Sequence, residues 1–448
     1  MPPTKKTADA ADNNTFLDPG FQMERIIIEG GRPLNGSIDI SGMKNAALAI
    51  IFASIVCEDR CVIENLPYIS DVYLALEILR EIGAKTRFLS SDTVEIDTSG
   101  PIRTACPYDL ARRMRASYYL IGAELARNGR ASVGLPGGCD LGRRPIDQHR
   151  KAFISLGATW SEEGGCVNSM AQNGLTANNI YFDVVSVGAT INTIIAATKA
   201  KGMTVIENAA REPHVVDLAN FLNFCGAEIS GAGTDTIKIR GVEKLHGCEY
   251  SIIPDMIEAG TFMIAAAATG GNVKLNNVIP RHLETLTAKL EEMGVSVEEG
   301  DDTVSVTRDG ELHPANIKTL PYPGFPTDLQ PQMGVLLCLA NGTSVISETI
   351  WDARFEYVKE LKRMGANIEV TGQTARVYGG EPLYSANVRA VDLRAGSAMV
   401  IAALCADGRT SIDDIYHIER GYYNIVPKLR GVGAKIEKIY YPDGTYIA

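Results

Sequence analysis

The sequence comprises 448 residues (48.3 kDa), 45% hydrophobic and 22% charged, enough chain for two or three domains with large buried cores. Its 43 basic and 54 acidic side chains leave a net charge of −11 at a pI of 5.2, which argues against polyanionic partners such as nucleic acid or an anionic membrane. The longest apolar stretch, Ala46 to Cys57, falls well short of the roughly 20 residues that a membrane-spanning helix needs, so none is expected.

Residues 1–22 (MPPTKKTADAADNNTFLDPGFQ) are polar, lack the apolar core of a signal peptide and read as a disordered leader. A strand opens the phrase IIIEGGRPLNG (Ile26 to Gly36), and SGMKNAAL then leads into a helix over Asn45 to Val56. That helix is apolar nearly all round and must lie inside. EDRCVIENL supplies a turn and a strand. Val72, Ala75, Leu76, Leu79 and Ile82 fall at i, i+3, i+4, i+7 and i+10 of an amphipathic helix that stops at Gly83. Glycine suits that stop, because the residue after a helix is commonly left-handed and glycine has no Cβ to oppose it.

The same order recurs down the chain. Further buried helices are expected over Thr190 to Ala200 and Gly260 to Thr269, and the turn-and-strand phrase returns as KGMTVIENA and NGTSVISET. Amphipathic helices end in FISLGATW (Gly157), LNFCGAEI (Gly226), LEEMGVSV (Gly294), LKRMGANI (Gly365) and LRGVGAKI (Gly433). Alternating segments such as AEIS and TIKIR follow as strands. Including LREIGAKT at Gly83, the spacings are 74, 69, 68, 71 and 68 residues, so the chain is six repeats of strand, buried helix, strand, amphipathic helix and strand pair. The phrase IIIEGGRPLNG returns as IKIRGVEKLHG (Ile237 to Gly247) and ARVYGGEPLYS (Ala375 to Ser385), each time after a Gly-Ala strand. At the N-terminus nothing precedes it. The N-terminal strand is therefore expected to complete the last repeat, which places residues 23 to about 43 with the C-terminal half.

Repeat scaffolds place function at equivalent positions, and the six segments that lead into the buried helices are SGMKNAAL, RRMRASYYL, VSVGATINT, PDMIEAGTF, FPTDLQPQM and DLRAGSAMV. They carry Lys44, Arg115, a Ser186-Val187-Gly188 turn, Asp255, Asp328 and Arg394, which suggests one polar centre. The carboxylates have an ordinary alternative as helix caps, and TDLQ (Thr327 to Gln330) reads as a capping box. The cations do not, because the helix dipole opposes them and an anionic ligand would offset it.

The segment 101–151 departs from the acidic average: ten basic residues, nine of them Arg, stand against Asp109, Glu124, Asp140 and Asp147, a local balance of +6. Arg matches phosphate and carboxylate oxygens bidentately. Within this segment LPGGCDLGRRP (Leu135 to Pro145) forms a Gly-rich loop in which Cys139 neighbours Arg143 and Arg144, a setting that lowers a thiol's pKa and raises its reactivity. The nine cysteines otherwise read as reduced thiols. Cys57 and Cys61 have no Cys or His partner at metal-ligand spacing and no HExxH is present, so no metal site is expected.

The phrases SGMKNAAL, MRAS, LPGGC followed by RP, SVGAT, ENAAREP, IPDMIEAGTF, FPTDLQ, DLRAG and HIERGY, in this order from about Arg25 to Lys438, resemble those of the UDP-N-acetylglucosamine enolpyruvyl transferases of the EPSP synthase-like superfamily. The resemblance implies an α/β fold of two similar domains, each of three βαβαββ repeats with helices inside and sheets outside, an inside-out α/β barrel. The domains would span 44–253 and 23–43 plus 254–448. It implies transfer of the enolpyruvyl group of phosphoenolpyruvate to the 3-hydroxyl of UDP-N-acetylglucosamine with release of phosphate, in the cytoplasm, at the first committed step of cell-wall peptidoglycan synthesis. No metal or organic cofactor is implied, and a homo-oligomer is compatible with it.

Carried over by motif, the resemblance makes Lys44, Cys139, Asp328 and Arg420 catalytic, with Cys139 the residue that fosfomycin alkylates and Asp328 the base for the sugar hydroxyl. Asn45, Arg115, Arg144, Ser186, Val187, Gly188, Glu212, Asp255, Asp392 and Arg394 would bind the substrates. The sequence departs from the family pattern at Met43, where Ala is usual, and at Ser70, Val184 and Met256, where some relatives are basic; these changes bear on affinity and efficiency. Two alternatives stand beside this reading. The shikimate-pathway enolpyruvyl transferases share the fold but carry SKS rather than MKN at the first Lys and lack the PGGC loop cysteine. A ring that encircles nucleic acid would need cations along its lumen helices, whereas here the helices are apolar and the cations sit at their ends.

Overall fold

The computed structural model describes residues 23–104, 108–135 and 145–441. Six helices form its centre: α1 (Lys44–Ala53), α2 (Tyr119–Asn128), α3 (Val187–Ala197), α4 (Met256–Thr269), α5 (Gln330–Cys338) and α6 (Leu393–Cys405). Their composition explains their place. Every residue of α4 from Met256 to Ala268 is buried, and small residues dominate it, so its neighbours α5 and α6 can approach from either side. In the other half α2 packs against both α1 and α3.

Sheets cover these helices. Among the described residues there are six, five of four strands and one of three (Arg130–Gly134, Cys166–Met170 and Thr159–Glu163). The third repeat shows the rule. Asn179–Tyr181 leads through α3 to a parallel partner, Met203–Glu207; the amphipathic helix Pro213–Phe224 follows; then Glu228–Ser230 and Thr236–Arg240 add antiparallel strands. Alternate burial in Thr236–Arg240, with Ile237 and Ile239 inward, fixes the register Ile206 to Ile237. The glycines that end the six amphipathic helices, Gly83, Gly157, Gly226, Gly294, Gly365 and Gly433, all have φ between 86° and 117°, the left-handed region expected of them.

The N-terminal strand Met23–Glu29 lies between Arg409–Asp413 and Lys435–Tyr441, antiparallel to both, so it does fill the last sheet. A second exchange joins two short strands to distant partners. Asn35–Asp39 pairs in parallel with Asn272–Asn276, after α4, whereas Glu249–Ser251 pairs in parallel with Arg60–Glu64, after α1. Each strand thus belongs to a sheet whose helix comes from the other half of the chain. The two connecting segments cross side by side, with Met43 N donating to Ile253 O (2.8 Å) and Asp255 N to Ser41 O (2.8 Å). Gly42 is required there, since a Cβ would fall 1.6 Å from the carbonyl oxygen of Asn65. This double crossing delivers Lys44 and Asp255 to the same place, at the N-termini of α1 and α4.

Candidate active site

Lys44 is the first residue of α1, a position where the dipole disfavours a cation, and the N-cap residue Met43 makes no side-chain cap bond. Its compensation is Asp71, near the start of the helix Ser70–Ile82, whose Oδ2 lies 2.6 Å from Lys44 Nζ. Asp71 is only 4% exposed and also receives Arg420 through Nε (3.0 Å) and Nη2 (3.3 Å), from 349 residues away. One carboxylate therefore joins two cations from opposite ends of the sequence. Burial drives the Lys44 pKa down; Asp71 opposes this, but Arg420 and Arg394 add to it and the net shift is downward. Burial resists ionisation of Asp71, yet Lys44 and Arg420 outweigh it and hold the carboxyl below its ordinary value.

The neighbouring corner is built from α5 and α6. Thr327–Leu329 forms a short 3-10 turn before α5 and its N-cap is Pro326, without a side-chain cap bond, so the capping box expected of TDLQ does not form. The physical reason is a competitor for the capping side chain: Thr327 donates to Glu348 (3.1 Å), while Asp328 beside it pairs with Arg354 (3.1 Å) and Arg394 (2.9 Å). Arg394 is buried, packs on the ring of Tyr422 at 5.5 Å, and has Nε and Nη1 enclosed without a hydrogen-bond partner. Such N–H groups are costly unless a ligand meets them. Asp392 does act as a cap, accepting from Arg394 N (2.7 Å) and Ala395 N (2.9 Å). Asp255 caps α4 through Ile257 N (2.8 Å) and Glu258 N (3.2 Å), and its second oxygen faces Lys44 N at 3.4 Å. Burial raises the Asp255 carboxyl, with Arg394 opposing.

The helix Pro213–Phe224 approaches the same corner from the first half of the chain. Glu212, at its N-cap position, accepts from Tyr322 N (3.4 Å), while its Oε2 is buried without a partner. Burial raises its carboxyl. His214 is buried and pushed down to about 4 by burial, with the charge of Asp328 opposing the fall. The imidazole is therefore neutral at pH 7.

A second group forms within the first half. Arg115 begins the 3-10 turn ahead of α2 and sits over Tyr118 at 5.7 Å. Its charge, after burial, helps hold His149 at about 3. His149 Nδ1 lies 3.1 Å from Asn192 Nδ2, and a Cβ on Gly188 would fall 3.2 Å from His149 Nε2, so glycine permits this approach. Ser186 caps α3 by accepting from Ala189 N (3.3 Å), and Ser186, Val187 and Gly188 remain half-buried at the helix N-terminus. Asn45 is half-buried beside Lys44.

The structure therefore brings Lys44, Asp255, Asp328, Asp392, Arg394 and Arg420 to one centre, with Glu212 on its flank, and sets Arg115 with Ser186–Gly188 around His149. Cys139 and Arg144 lie outside the described residues. Sequence reasoning missed Asp71, Arg354, His214 and Tyr422. Asp71 gave one signal, an acid in the first turn of a helix, which ordinary dipole stabilisation explains equally well.

A profile of the EPSP synthase family (3-phosphoshikimate 1-carboxyvinyltransferase) matches residues 28–429. The chain is 54% identical over 417 residues to UDP-N-acetylglucosamine 1-carboxyvinyltransferase 3 of Caldanaerobacter subterraneus subsp. tengcongensis, covering 93% of this chain and 100% of the relative. It is likewise 54% identical over 418 residues to UDP-N-acetylglucosamine 1-carboxyvinyltransferase of Clostridium botulinum, covering 93% and 100%. Among solved structures, the enolpyruvyl transferase NikO from Streptomyces tendae superposes with a TM-score of 0.86 at 28% identity, covering 94% of this chain and 100% of that one. EPSP synthase from Acinetobacter baumannii, at 19% identity and a TM-score of 0.72, shares the fold. The architecture is thus the enolpyruvyl transferase fold, and the chain belongs to the UDP-N-acetylglucosamine 1-carboxyvinyltransferases within the wider EPSP synthase family.

Proposed function

We propose that the protein transfers the enolpyruvyl group of phosphoenolpyruvate to the 3-hydroxyl of UDP-N-acetylglucosamine and releases phosphate, the first committed step of peptidoglycan synthesis. The observation that carries this reading is the buried Arg394, whose Nε and Nη1 lack partners beside Lys44 and Arg420. Three cations enclosed together suit a small ligand bearing both a phosphate and a carboxylate.

The reaction needs an acid, a base and fixed positive charge. Protonating C3 of the enol ether leaves a cation-like C2, which the sugar hydroxyl attacks to give a tetrahedral ketal; loss of phosphate and of the C3 proton completes the transfer. Lys44, Arg394 and Arg420, with Arg115 and Arg144, hold phosphate and carboxylate in this reading. Lys44 is also a competent proton donor, since burial and two guanidinium groups loosen its proton. Cys139 is the second candidate for a proton-transfer role. Asp328 takes the hydroxyl proton once Arg394 turns its paired N–H toward the ligand. Asn45, Ser186–Gly188, Glu212, Asp255 and Asp392 form the sugar-nucleotide side.

No metal or organic cofactor enters this scheme. No described helix is long and apolar enough to cross a membrane, and we place the enzyme in the cytoplasm with its two metabolite substrates. Phosphate release tests the assignment: turnover with UDP-N-acetylglucosamine and none with shikimate 3-phosphate is expected. The reverse preference would transfer the protein to the shikimate-pathway reaction.

A further inference from the structure

The fold gathers thiols that the sequence keeps far apart. Cys57 ends the 3-10 turn Ser54–Cys57 that continues α1, and Cys61 lies in the strand Arg60–Glu64. Cys225 follows the helix Pro213–Phe224, and Cys248 precedes the strand Glu249–Ser251. The Sγ atoms of Cys57, Cys61 and Cys225 all lie within 4.8 Å of one another, and Cys248 Sγ is 3.3 Å from Cys225 Sγ. All four are free thiols, and the first three have no exposed surface.

The backbone holds this arrangement from two directions. Glu58, at φ 55°, turns the chain so that Cys57 and Cys61 face one way. The parallel pairing of Glu249 with Val62, and the bond from Val62 N to Cys248 O (2.9 Å), set Cys248 beside Cys61. A free Cys can serve simply as a small buried hydrophobe, and a gathered set of thiols offers metal binding besides. Here they face one another.

A zinc ion bound by four thiolates at about 2.3 Å requires sulfur atoms about 3.8 Å apart; the sulfurs of Cys57, Cys61 and Cys225 lie within 4.8 Å of one another and Cys248 Sγ meets Cys225 Sγ at 3.3 Å, so the set closes on an ion through adjustment of the side chains, that of Cys248 above all. Cys57 and Cys61 also stand at the C-x3-C spacing of structural zinc sites. The two further ligands that local spacing failed to supply come from 164 and 187 residues beyond Cys61. Binding would release four thiol protons to solvent and leave a net charge of −2 at the site. Arg127 is placed to offset part of it, held nearby by its Nη1, which donates to Ile55 O (2.7 Å).

We propose that Cys57, Cys61, Cys225 and Cys248 bind one zinc ion as a closed tetrathiolate site that ties the first and third repeats together. With four protein ligands no coordination position is left for substrate, so the role is structural. Cys57 lies 13 residues beyond Lys44 on one helical run, roughly 20 Å away, so the site stands at the opposite end of that run from the active centre.

The test uses the full chain, purified under reducing conditions from zinc-supplemented cells. Elemental analysis should give about one zinc per chain, and replacement with Co(II) should produce thiolate-to-cobalt charge-transfer absorption with the d–d bands of a tetrahedral site. Cys225→Ser combined with Cys248→Ser should lose the metal, whereas Cys166→Ser combined with Cys405→Ser should keep it. Should the first double variant fail to fold, the Co(II) spectrum of the unmodified protein decides, because it reports the ligand set directly. Zinc below about a tenth per chain with no such spectrum would overturn the proposal. So would full zinc content in the Cys225/Cys248 variant, or a Cys225–Cys248 disulfide in the protein handled under reducing conditions.

Discussion

Replacing Glu124 by Gln should remove a pH-dependent weakness from the core. Glu124 lies on α2 with no exposed surface; one carboxyl oxygen accepts from Ser132 N at 3.3 Å and the other has no partner. Burial raises its pKa from 4.5 to about 8. Between those values the unfolded chain releases the proton that the folded chain keeps, so stability falls as pH rises. Each pH unit costs about 1.4 kcal/mol, which amounts to about 3 kcal/mol at pH 7 and close to 5 kcal/mol once the native carboxyl itself ionises near pH 8. Gln keeps the shape and carries no charge in either state. In urea titrations followed by circular dichroism at pH 5.5, 6.5 and 7.5, the stability advantage of Glu124→Gln should therefore widen by about 1.4 kcal/mol per pH unit. Parallel pH dependences of variant and parent would refute the reasoning, since they would mean that Glu124 titrates alike in the folded and unfolded chains.

The remaining predictions concern the active centre. Asp71→Asn strips Lys44 and Arg420 of their shared counter-charge and should destabilise the fold by about 3 kcal/mol near neutral pH. Because the Asp71 pKa is lowered in the fold, this difference should persist above about 3.8 and shrink as pH falls through the lower native value; urea titrations at several pH values measure it. Asp328→Asn should leave sugar-nucleotide binding by calorimetry within a few-fold of the parent and cut kcat by at least about 100-fold; a near-normal kcat would remove Asp328 from the base role. Fosfomycin should label Cys139 alone, and faster with UDP-N-acetylglucosamine bound. Peptide mass mapping checks this, and an adduct on another cysteine would redirect the assignment.

The repeat and what ends it are written locally in the chain. Glycine at six matching positions and apolar periodicity before each of them are local facts, because helix stops and buried faces are set by neighbours within a few residues. The N-terminal strand's place was legible for the same reason, as a repeated phrase lacking its usual antecedent. Candidate residues at the mouths of the buried helices were also legible, since dipole chemistry singles out cations there.

Which of those residues meet is set by contacts between distant parts of the chain. Arg420 reaches Asp71 across 349 positions, Thr327 leaves the expected capping box to donate to Glu348, and Asp328 beside it pairs with Arg354 and Arg394, because partners brought in by the fold outcompete local hydrogen bonds. The crossing of the two strands at Gly42 and Pro254 brings Lys44 beside Asp255, and the pairing of Glu249 with Val62 carries Cys248 to the thiol of Cys225, itself clustered with Cys57 and Cys61. Pairing between distant strands leaves no spacing rule in the chain. A metal-ligand search confined to neighbouring residues therefore finds two cysteines where the fold presents four.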